Sequence, residues 1–245
     1  MSTVLLVRHG LTAKTGPVLT GRTPGVHLDD RGTAQAAELA KRLAPVPLTA
    51  CVSSPLERCQ ETAAAIAAGR DGLGVRTEER LIECGYGDWT GQRLEKLAKE
   101  PLWRVVQNHP SAAVFPGTDG EALADVQRRA VAAVRHWNAV LGPDATYVAC
   151  SHGDVIKAVV ADALGLHLDQ FQRIQIDPCS LTVIRYSELR PFVVRVNDPG
   201  DVTGLVPKPK AAPPRRKGLR GLFARPRTAS GADGGSDAPV GGGSG

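Results

Sequence analysis

Long apolar runs are missing from this sequence of 245 residues. No stretch approaches the ~20 apolar residues that a helix needs to cross a bilayer. The apolar run from Val4 to Val7 is far shorter than the core of a secretion signal, which has about 7–15 residues, and no cleavage site follows it. We therefore expect neither a membrane-spanning helix nor a signal peptide, and we expect a cytoplasmic protein.

Paired cysteines are also missing. The sequence has five cysteines, an odd and scattered set without a CxxC motif. That spacing indicates neither a zinc knot nor a disulfide framework, and reduced thiols are typical of the cytoplasm. Aromatic residues make up only 4% of the chain, so alanine, valine and leucine must fill most of the core.

Excess charge is missing from most of the chain, although the formal net charge is +5. Residues 1–207 contain 22 basic and 23 acidic residues, whereas residues 208–245 contain eight basic and two acidic residues. The basic character therefore lies in the C-terminal segment, and we expect the rest of the chain not to bind nucleic acid.

Short apolar segments predict the strands of an α/β fold. Residues 3–7, 48–54 and 146–151 have the composition of buried strands, and each precedes a segment of helical character. Residues 180–187 and 191–196 indicate a closing antiparallel pair. Strands that alternate with helices predict a layered α/β domain with a mostly parallel sheet.

Apolar residues at helical spacing predict the helices of the same domain. The stripe of residues 36–43 predicts the first, and Pro55 is suited to the first turn of the second. A long stripe over residues 123–141 predicts another, and residues 118–121 (TDGE) match a capping box before it. Residues 69–92 are predicted to be a loop region.

The composition changes at about residue 206, so we predict a globular domain over residues 1–205. Residues 206–245 are basic and proline-rich, then rich in glycine and serine. Such a segment buries too little apolar surface to offset its ordering entropy, so we expect a disordered tail. The alternative is a tail that docks on an anionic membrane or on RNA. It rests on three apolar residues at helical spacing among cations, which are Leu219, Leu222 and Phe223.

Ionisable groups stand just past predicted strands or in loops at four places. Arg8-His9-Gly10 follows the first strand, and Arg58 stands shortly after the second. Glu83 lies in the loop region, and His152-Gly153 follows the strand 146–151. Since ligands bind beyond the carboxyl ends of strands in open α/β sheets, one pocket can collect all four.

This set of groups is suited to phosphoryl transfer. Arginine binds phosphate oxygens in a bidentate manner, and a neutral imidazole is a competent nucleophile. Gly10 permits the turn that lets both Arg8 and His9 reach one phosphoryl group. Glu83 is the available acid for the leaving oxygen, and a neighbouring dianion raises the pKa of a carboxyl.

The chain resembles the histidine phosphatase superfamily, the phosphoglycerate-mutase-like proteins. The resemblance extends over roughly residues 3–185 and rests on six segments in the family's order. They are VRHGLT, LDDRGTAQA, VSSPLERCQETA, LIECGYGDWTG, FPGTDGEAL and ACSHGDVIKAV. It implies a three-layer α/β/α sandwich with a mostly parallel central sheet.

The same resemblance implies roles for particular residues. His9 would be the nucleophile that becomes phosphorylated, Glu83 the proton donor, and three side chains would bind the phosphoryl group: Arg8, Arg58 and His152. Further residues would contact the phosphate or the rest of the substrate: Thr15, Thr20, Gly21, Tyr86 and Gly153. The family uses no metal or other cofactor, and none is expected here.

This sequence departs from the pattern of the glycolytic mutases and resembles the phosphatase members of the family more closely. The insert between the acid motif and the second-histidine motif is short, and no Arg-Arg pair occurs between Glu83 and Pro116. Thr15 stands where true mutases usually carry Asn. We expect a phosphatase acting on a small phosphorylated metabolite. A phosphomutase is the alternative, and a non-enzymatic scaffold that works through its basic tail is a third.

Four residues near the predicted site are candidates for minor roles. Lys14, Arg22 and Arg93 are candidates for contact with a second charge of the substrate, although solvation is the commoner outcome for such side chains. His27 lies in the loop after the first strand, and it is the likeliest catalytic exception among the histidines outside the motifs.

Overall fold

The computed structural model describes residues 1–200, which form a six-stranded sheet covered by helices on both faces. Across the sheet the strand order is β3-β2-β4-β1-β5-β6. The four strands from β3 to β1 are parallel, whereas β5 and β6 pair antiparallel to their neighbours. The strands are β1 (Ser2–Arg8), β2 (Ala50–Ser53), β3 (Val75–Thr77), β4 (Thr146–Ser151), β5 (Leu181–Tyr186) and β6 (Pro191–Asp198).

Alternating side chains of the strands build two cores, one on each face of the sheet. Leu5 and Val7 of β1 pack with α1 and α2, whereas Val4 and Leu6 pack with α5 and α6. The α/β/α sandwich predicted from the sequence is thereby confirmed. The α-helices of the described residues are α1 (Asp30–Leu43), α2 (Glu57–Ala67), α3 (Leu94–Leu97), α4 (Pro101–Asn108), α5 (Leu123–Leu141) and α6 (Gly153–Ala163).

The start of α5 differs from the prediction. Ala122 is its N-cap and makes no side-chain capping bond, so the capping box at residues 118–121 is wrong. Glu121 instead accepts hydrogen bonds from Arg22 and Arg129, because two guanidinium groups are stronger partners than a backbone N–H.

The region between β2 and α5 contains more regular structure than the sequence predicts. Residues 69–92 include β3 and two short 3-10 helices (Glu79–Leu81 and Gly87–Trp89), and α3 and α4 follow. These elements are short, so their apolar residues give little periodicity. No helix within residues 1–200 is long and apolar enough to cross a membrane. The prediction of a disordered tail over residues 206–245 falls outside the described residues.

Candidate active site

The register of two parallel strands brings His9 and His152 together. Arg8 at the end of β1 lies opposite Ser151 at the end of β4, and the N–H of His9 donates to the Ser151 carbonyl at 3.0 Å. The two residues that follow these strands therefore lie side by side. Their imidazole ring centroids are 5.3 Å apart, with an interplanar angle of 62°.

Gly10 allows the chain after β1 to pass close to the start of α1. A Cβ at position 10 would lie 2.6 Å from the carbonyl oxygen of Gly32, and a Cβ at position 32 would lie 2.0 Å from the Leu11 carbonyl oxygen. Gly10 was predicted to permit a turn. The structure gives a different reason for this glycine, which is the contact between two backbone segments.

Hydrogen bonding orients the ring of His9. Its Nδ1 lies 2.8 Å from the carbonyl oxygen of Gly10, and since a carbonyl only accepts, Nδ1 carries the proton. Burial, followed by the positive charges of Arg58 and Arg8, holds the pKa of His9 well below its usual range. The ring is therefore neutral near pH 7, and the lone pair is on Nε2.

Arg58 connects three parts of the site through one guanidinium group. Its side chain is buried in the first turn of α2. Nε donates to Nε2 of His9 at 3.3 Å, and Nη2 donates to the Gly21 carbonyl at 2.8 Å. Nη2 also lies 3.3 Å from Nδ1 of His152. The cation thus contacts both imidazole rings.

His152 lies behind His9 and is fully buried. Because a guanidinium only donates, Nδ1 of His152 accepts from Arg58 and the proton is on Nε2, which lies 2.8 Å from Oγ of Ser54. Burial and the charge of Arg58 hold the pKa of His152 well below its usual range. This ring is also neutral near pH 7.

Glu83 is a buried carboxyl group beside His152. One oxygen accepts from the Cys84 N–H at 2.9 Å, and the other lies 3.7 Å from Nδ1 of His152. Burial and the negative charge of Asp154 raise the pKa of Glu83 to about 7, against the opposing effect of Arg58. A substantial fraction of Glu83 is therefore protonated at neutral pH.

A small cavity opens onto these groups. Its empty volume is about 430 Å³, including its open mouth. The loop after β1 and the acid loop supply most of its wall, so most of the predicted site residues meet there. The lining residues predicted from the sequence are Arg8, His9, Thr15, Thr20, Gly21, Arg58, Glu83 and Tyr86.

The cavity has further lining residues that were not predicted from the sequence, among them Thr12, Val18 and Leu94. Thr12 ends the VRHGLT segment, and its Oγ1 lies 3.0 Å from Oγ1 of Thr15, so the two hydroxyl groups share a hydrogen bond. Val18 and Leu94 add apolar wall. An apolar residue in a loop, like Val18, or in a short helix, like Leu94, carries no sequence signal for a site. Two predicted site residues, His152 and Gly153, do not line the cavity, because both are buried at the start of α6.

Tyr86 lines the cavity, but its hydroxyl group faces a buried acid. The hydroxyl donates to Oδ2 of Asp154 at 2.6 Å. Oδ1 of the same carboxylate lies 3.7 Å from Nζ of Lys157, and both side chains are buried. Sequence reasoning did not single out Asp154 or Lys157, because a charged residue in a helix usually faces solvent.

The candidates for minor roles do not line the cavity. Arg22 donates from Nε to the Glu83 carbonyl at 2.8 Å and from Nη2 to Glu121 at 2.7 Å. These contacts engage the guanidinium group of Arg22, so it is not free for a substrate charge. His27 is exposed and pairs with Glu61. Lys14 and Arg93 are not part of the cavity wall either.

The geometry places a nucleophile, a positive potential and an acid within one pocket. His9 offers a lone pair, and the guanidinium groups of Arg8 and Arg58 offer a positive potential for an anion. Glu83 offers a proton beside them. Within residues 1–200, no group of three or more histidine, cysteine or acidic side chains is arranged to hold a metal ion. The arrangement is suited to nucleophilic attack on a phosphoryl group.

Comparison with known families gives a match over nearly all of the described residues. The model of the Histidine phosphatase superfamily (branch 1) matches residues 4–199. This interval includes both histidines and the acid.

Individual relatives carry phosphatase and mutase names. Phosphoserine phosphatase 1 of Hydrogenobacter thermophilus is 34% identical, covering 80% of this chain and 92% of the relative. "Probable phosphoglycerate mutase GpmB" of Cronobacter sakazakii is 30% identical, covering 84% of this chain and 95% of the relative. The native structure of a mycobacterial glucosyl-3-phosphoglycerate phosphatase is 26% identical in sequence, with a TM-score of 0.71. The match covers 80% of this chain and 98% of that structure.

Proposed function

Since this chain belongs to the histidine phosphatase superfamily, we propose that it hydrolyses a small phosphomonoester through a phosphohistidine on His9. One observation carries the proposal. The Nδ1 of His9 donates to the Gly10 carbonyl at 2.8 Å, which leaves the lone pair on Nε2, where it accepts from Nε of Arg58 in a ring that lines the cavity.

In the first step Nε2 of His9 attacks phosphorus, and the bond between phosphorus and the ester oxygen breaks. Arg8 and Arg58 balance the charge of the transferring group, and His152 holds Arg58 from behind through its Nδ1. The leaving oxygen takes the proton of Glu83 and departs as an alcohol. The products of this step are a phosphohistidine and the Glu83 carboxylate.

In the second step a water molecule gives a proton to Glu83 while its oxygen attacks phosphorus. The bond between phosphorus and nitrogen breaks, inorganic phosphate leaves, and His9 is again neutral. The alternative is a phosphomutase, which is supported by the relative with a mutase name. In that reaction the hydroxyl group of a second substrate position takes the place of water. The phosphatase-named relatives favour water as the acceptor.

The substrate is proposed to be a small phosphorylated metabolite, because the cavity is small and lined by threonine hydroxyl groups and apolar side chains. Catalysis is proposed to need no metal and to reside in the domain of residues 1–205. Reduced thiols support a cytoplasmic location, since all five cysteines are free and buried.

The test is hydrolysis of p-nitrophenyl phosphate in the presence of a chelator. Wild type is expected to turn over and to carry an acid-labile phosphoryl label. His9→Ala is expected to lose the label and at least ~10³-fold in kcat. His136→Ala, which changes an exposed histidine of α5, is the matched control and keeps both. Absence of turnover by folded wild type would favour the scaffold alternative and overturn the proposal.

A further inference from the structure

The backbone of the loop that carries Glu83 is held from behind by one guanidinium group. Arg129 of α5 donates from Nη1 to the carbonyl oxygens of Arg80 and Ile82, at 2.7 and 2.6 Å. Its Nη2 donates to the Glu83 carbonyl at 3.1 Å. Three of the four carbonyls between positions 80 and 83 are therefore bound by one side chain.

Glu121 holds that guanidinium in place and binds the loop as well. Its Oε1 accepts from Nε of Arg129 at 2.7 Å, and its Oε2 accepts from Nη2 at 3.0 Å. Oε2 also accepts from Nη2 of Arg22 at 2.7 Å and from the Gly85 N–H at 3.1 Å. This pairing is largely buried, where charge-assisted hydrogen bonds have well-defined geometry.

Arg22 extends the same cluster to the anion-binding side of the cavity. It follows Gly21, whose carbonyl accepts from Arg58 at 2.8 Å. Its own Nε donates to the Glu83 carbonyl at 2.8 Å. The loop at residues 20–22 thus contacts the phosphate-binding arginine through one residue and the acid loop through the next.

We propose that Arg129, Glu121 and Arg22 form a clamp that positions the carboxyl group of Glu83 against the leaving oxygen. This inference rests on the proposed function, in which Glu83 protonates that oxygen. The three residues act through the backbone of the acid loop and do not touch the substrate, so they are positioning residues. No family segment quoted above points to Arg129, which lies in the middle of a helix.

The clamp predicts a dependence on the leaving group. A nitrophenolate leaves readily without a proton, whereas an alkoxide needs protonation from a well-placed acid. A displaced acid therefore slows hydrolysis of an alkyl phosphate far more than that of an aryl phosphate. Damage to the nucleophile, to the anion site or to folding would slow both substrates alike.

The experiment compares kcat/KM for p-nitrophenyl phosphate and glycerol phosphate in Arg129→Met, Arg22→Gln and Arg129→Lys. Arg129→Met is expected to lose about 10²-fold on the alkyl ester, as displacement of a catalytic group by ~1 Å does. The loss on the aryl ester is expected to stay within about 3-fold. Arg129→Lys keeps the charge, but one ammonium nitrogen cannot replace the three guanidinium nitrogens that bind the loop and Glu121, so it is expected to lose most of the same activity.

Two further variants serve as references for the comparison. Glu83→Gln should also lose kcat/KM mainly on the alkyl ester, and its loss should be larger, about 10²–10⁴-fold. Arg128→Met should leave both substrates unchanged, because Arg128 is exposed on the same helix and pairs only with Asp125 among the described residues. Competitive inhibition by inorganic phosphate should be unchanged in the Arg129 and Arg22 variants, since Arg8 and Arg58 are intact.

Equal losses on both substrates in Arg129→Met and Arg22→Gln would overturn the clamp while leaving the proposed function standing. Full activity of both variants on the alkyl ester would do the same. If wild type hydrolyses neither ester, the proposed function and the clamp both fail. Arg22→Gln keeps the test usable if Arg129→Met does not fold, because Arg22 is about one-third exposed.

Discussion

The imidazole rings of His9 and His152 lie 5.3 Å apart, and the guanidinium group of Arg58 contacts both. The cation disfavours protonation of either ring, and burial acts in the same direction. The pair is therefore neutral when an anionic substrate arrives. In the proposed mechanism neutrality keeps His9 nucleophilic, while the positive charge that attracts the phosphoryl group resides on arginine side chains.

Replacement of Arg58 separates its charge from its geometry. In Arg58→Met, the pKa of His9 is expected to rise towards its usual value, because the largest charge effect that lowers it is removed. Arg58→Lys retains the charge and should keep the pKa of His9 low. It is nevertheless expected to lose about 10²-fold or more in kcat/KM, because one ammonium group cannot make all three contacts. NMR titration of the histidines and steady-state kinetics measure the two effects. An unchanged pKa of His9 in Arg58→Met would contradict this explanation.

The pH dependence of kcat/KM should follow Glu83 on its alkaline side. The acid must be protonated in the free enzyme, and burial with Asp154 raises its pKa to about 7. Activity on an alkyl phosphate is therefore expected to fall above about pH 7, by about tenfold per pH unit. Protonation of His9 does not limit activity near neutral pH, because its pKa is well below the usual range. Glu83→Gln should have a low kcat/KM and should lack this alkaline limb. If the limb persists in this variant at the same pH, a group other than Glu83 causes it.

Asp154→Asn should move that alkaline limb to lower pH. The charge of Asp154 is the second cause of the raised pKa of Glu83, after burial, so its removal lowers that pKa. Asp125→Asn, which changes a half-exposed acid of α5, is the control and should leave the limb in place. The shift is read from kcat/KM profiles of the two variants; equal limbs in both would refute the coupling.

Asp154→Asn also leaves Lys157 as a buried charge without its acidic partner. Such a loss typically costs about 3–5 kcal/mol of stability. The double variant Asp154→Asn/Lys157→Met is therefore expected to regain stability in urea unfolding. It should keep only part of the shift of the limb, because the charge of Lys157 also acts on Glu83. This second variant separates the effect on Glu83 from the effect on folding.

Gly10→Ala should lower both stability and turnover. Its Cβ would lie 2.6 Å from the Gly32 carbonyl oxygen, so one backbone segment must move. Such overpacking costs about 1–3 kcal/mol, and the movement displaces the adjacent His9. Gly74→Ala is the matched control, because a Cβ there meets nothing within 4 Å, and its effect should stay within ~0.5 kcal/mol. Urea unfolding measures the stability and kcat measures the turnover. A Gly10→Ala enzyme with wild-type values of both would show that the backbone accommodates the added Cβ without cost.

The sequence predicted the sheet and the two strand ends that carry His9 and His152 because those signals are local. The apolar runs that became β1 and β4 stop directly before His9 and His152. Parallel strands place such residues at one edge of a sheet, so their proximity follows from the strand pattern. Membership of the histidine phosphatase superfamily is confirmed by the family match over residues 4–199.

The environment of Glu83 was not predictable from the sequence. Residues 118–121 match a capping box, yet the carboxylate of Glu121 binds Arg129 and Arg22. The local pattern describes only what a neighbouring backbone can offer. It contains no information about guanidinium groups that lie many residues away and arrive through the packing of α5 and the loop after β1.

The sequence by itself determined which functional groups this protein has and which end of the sheet they occupy, because strand boundaries and side-chain alternation are set by neighbouring residues. The tertiary structure alone decided their protonation and their orientation. The pKa of Glu83 and the tautomer of His9 depend on burial and on partners that are distant in sequence or held in a particular backbone geometry. Those interactions act through short distances in space, and only folding creates them.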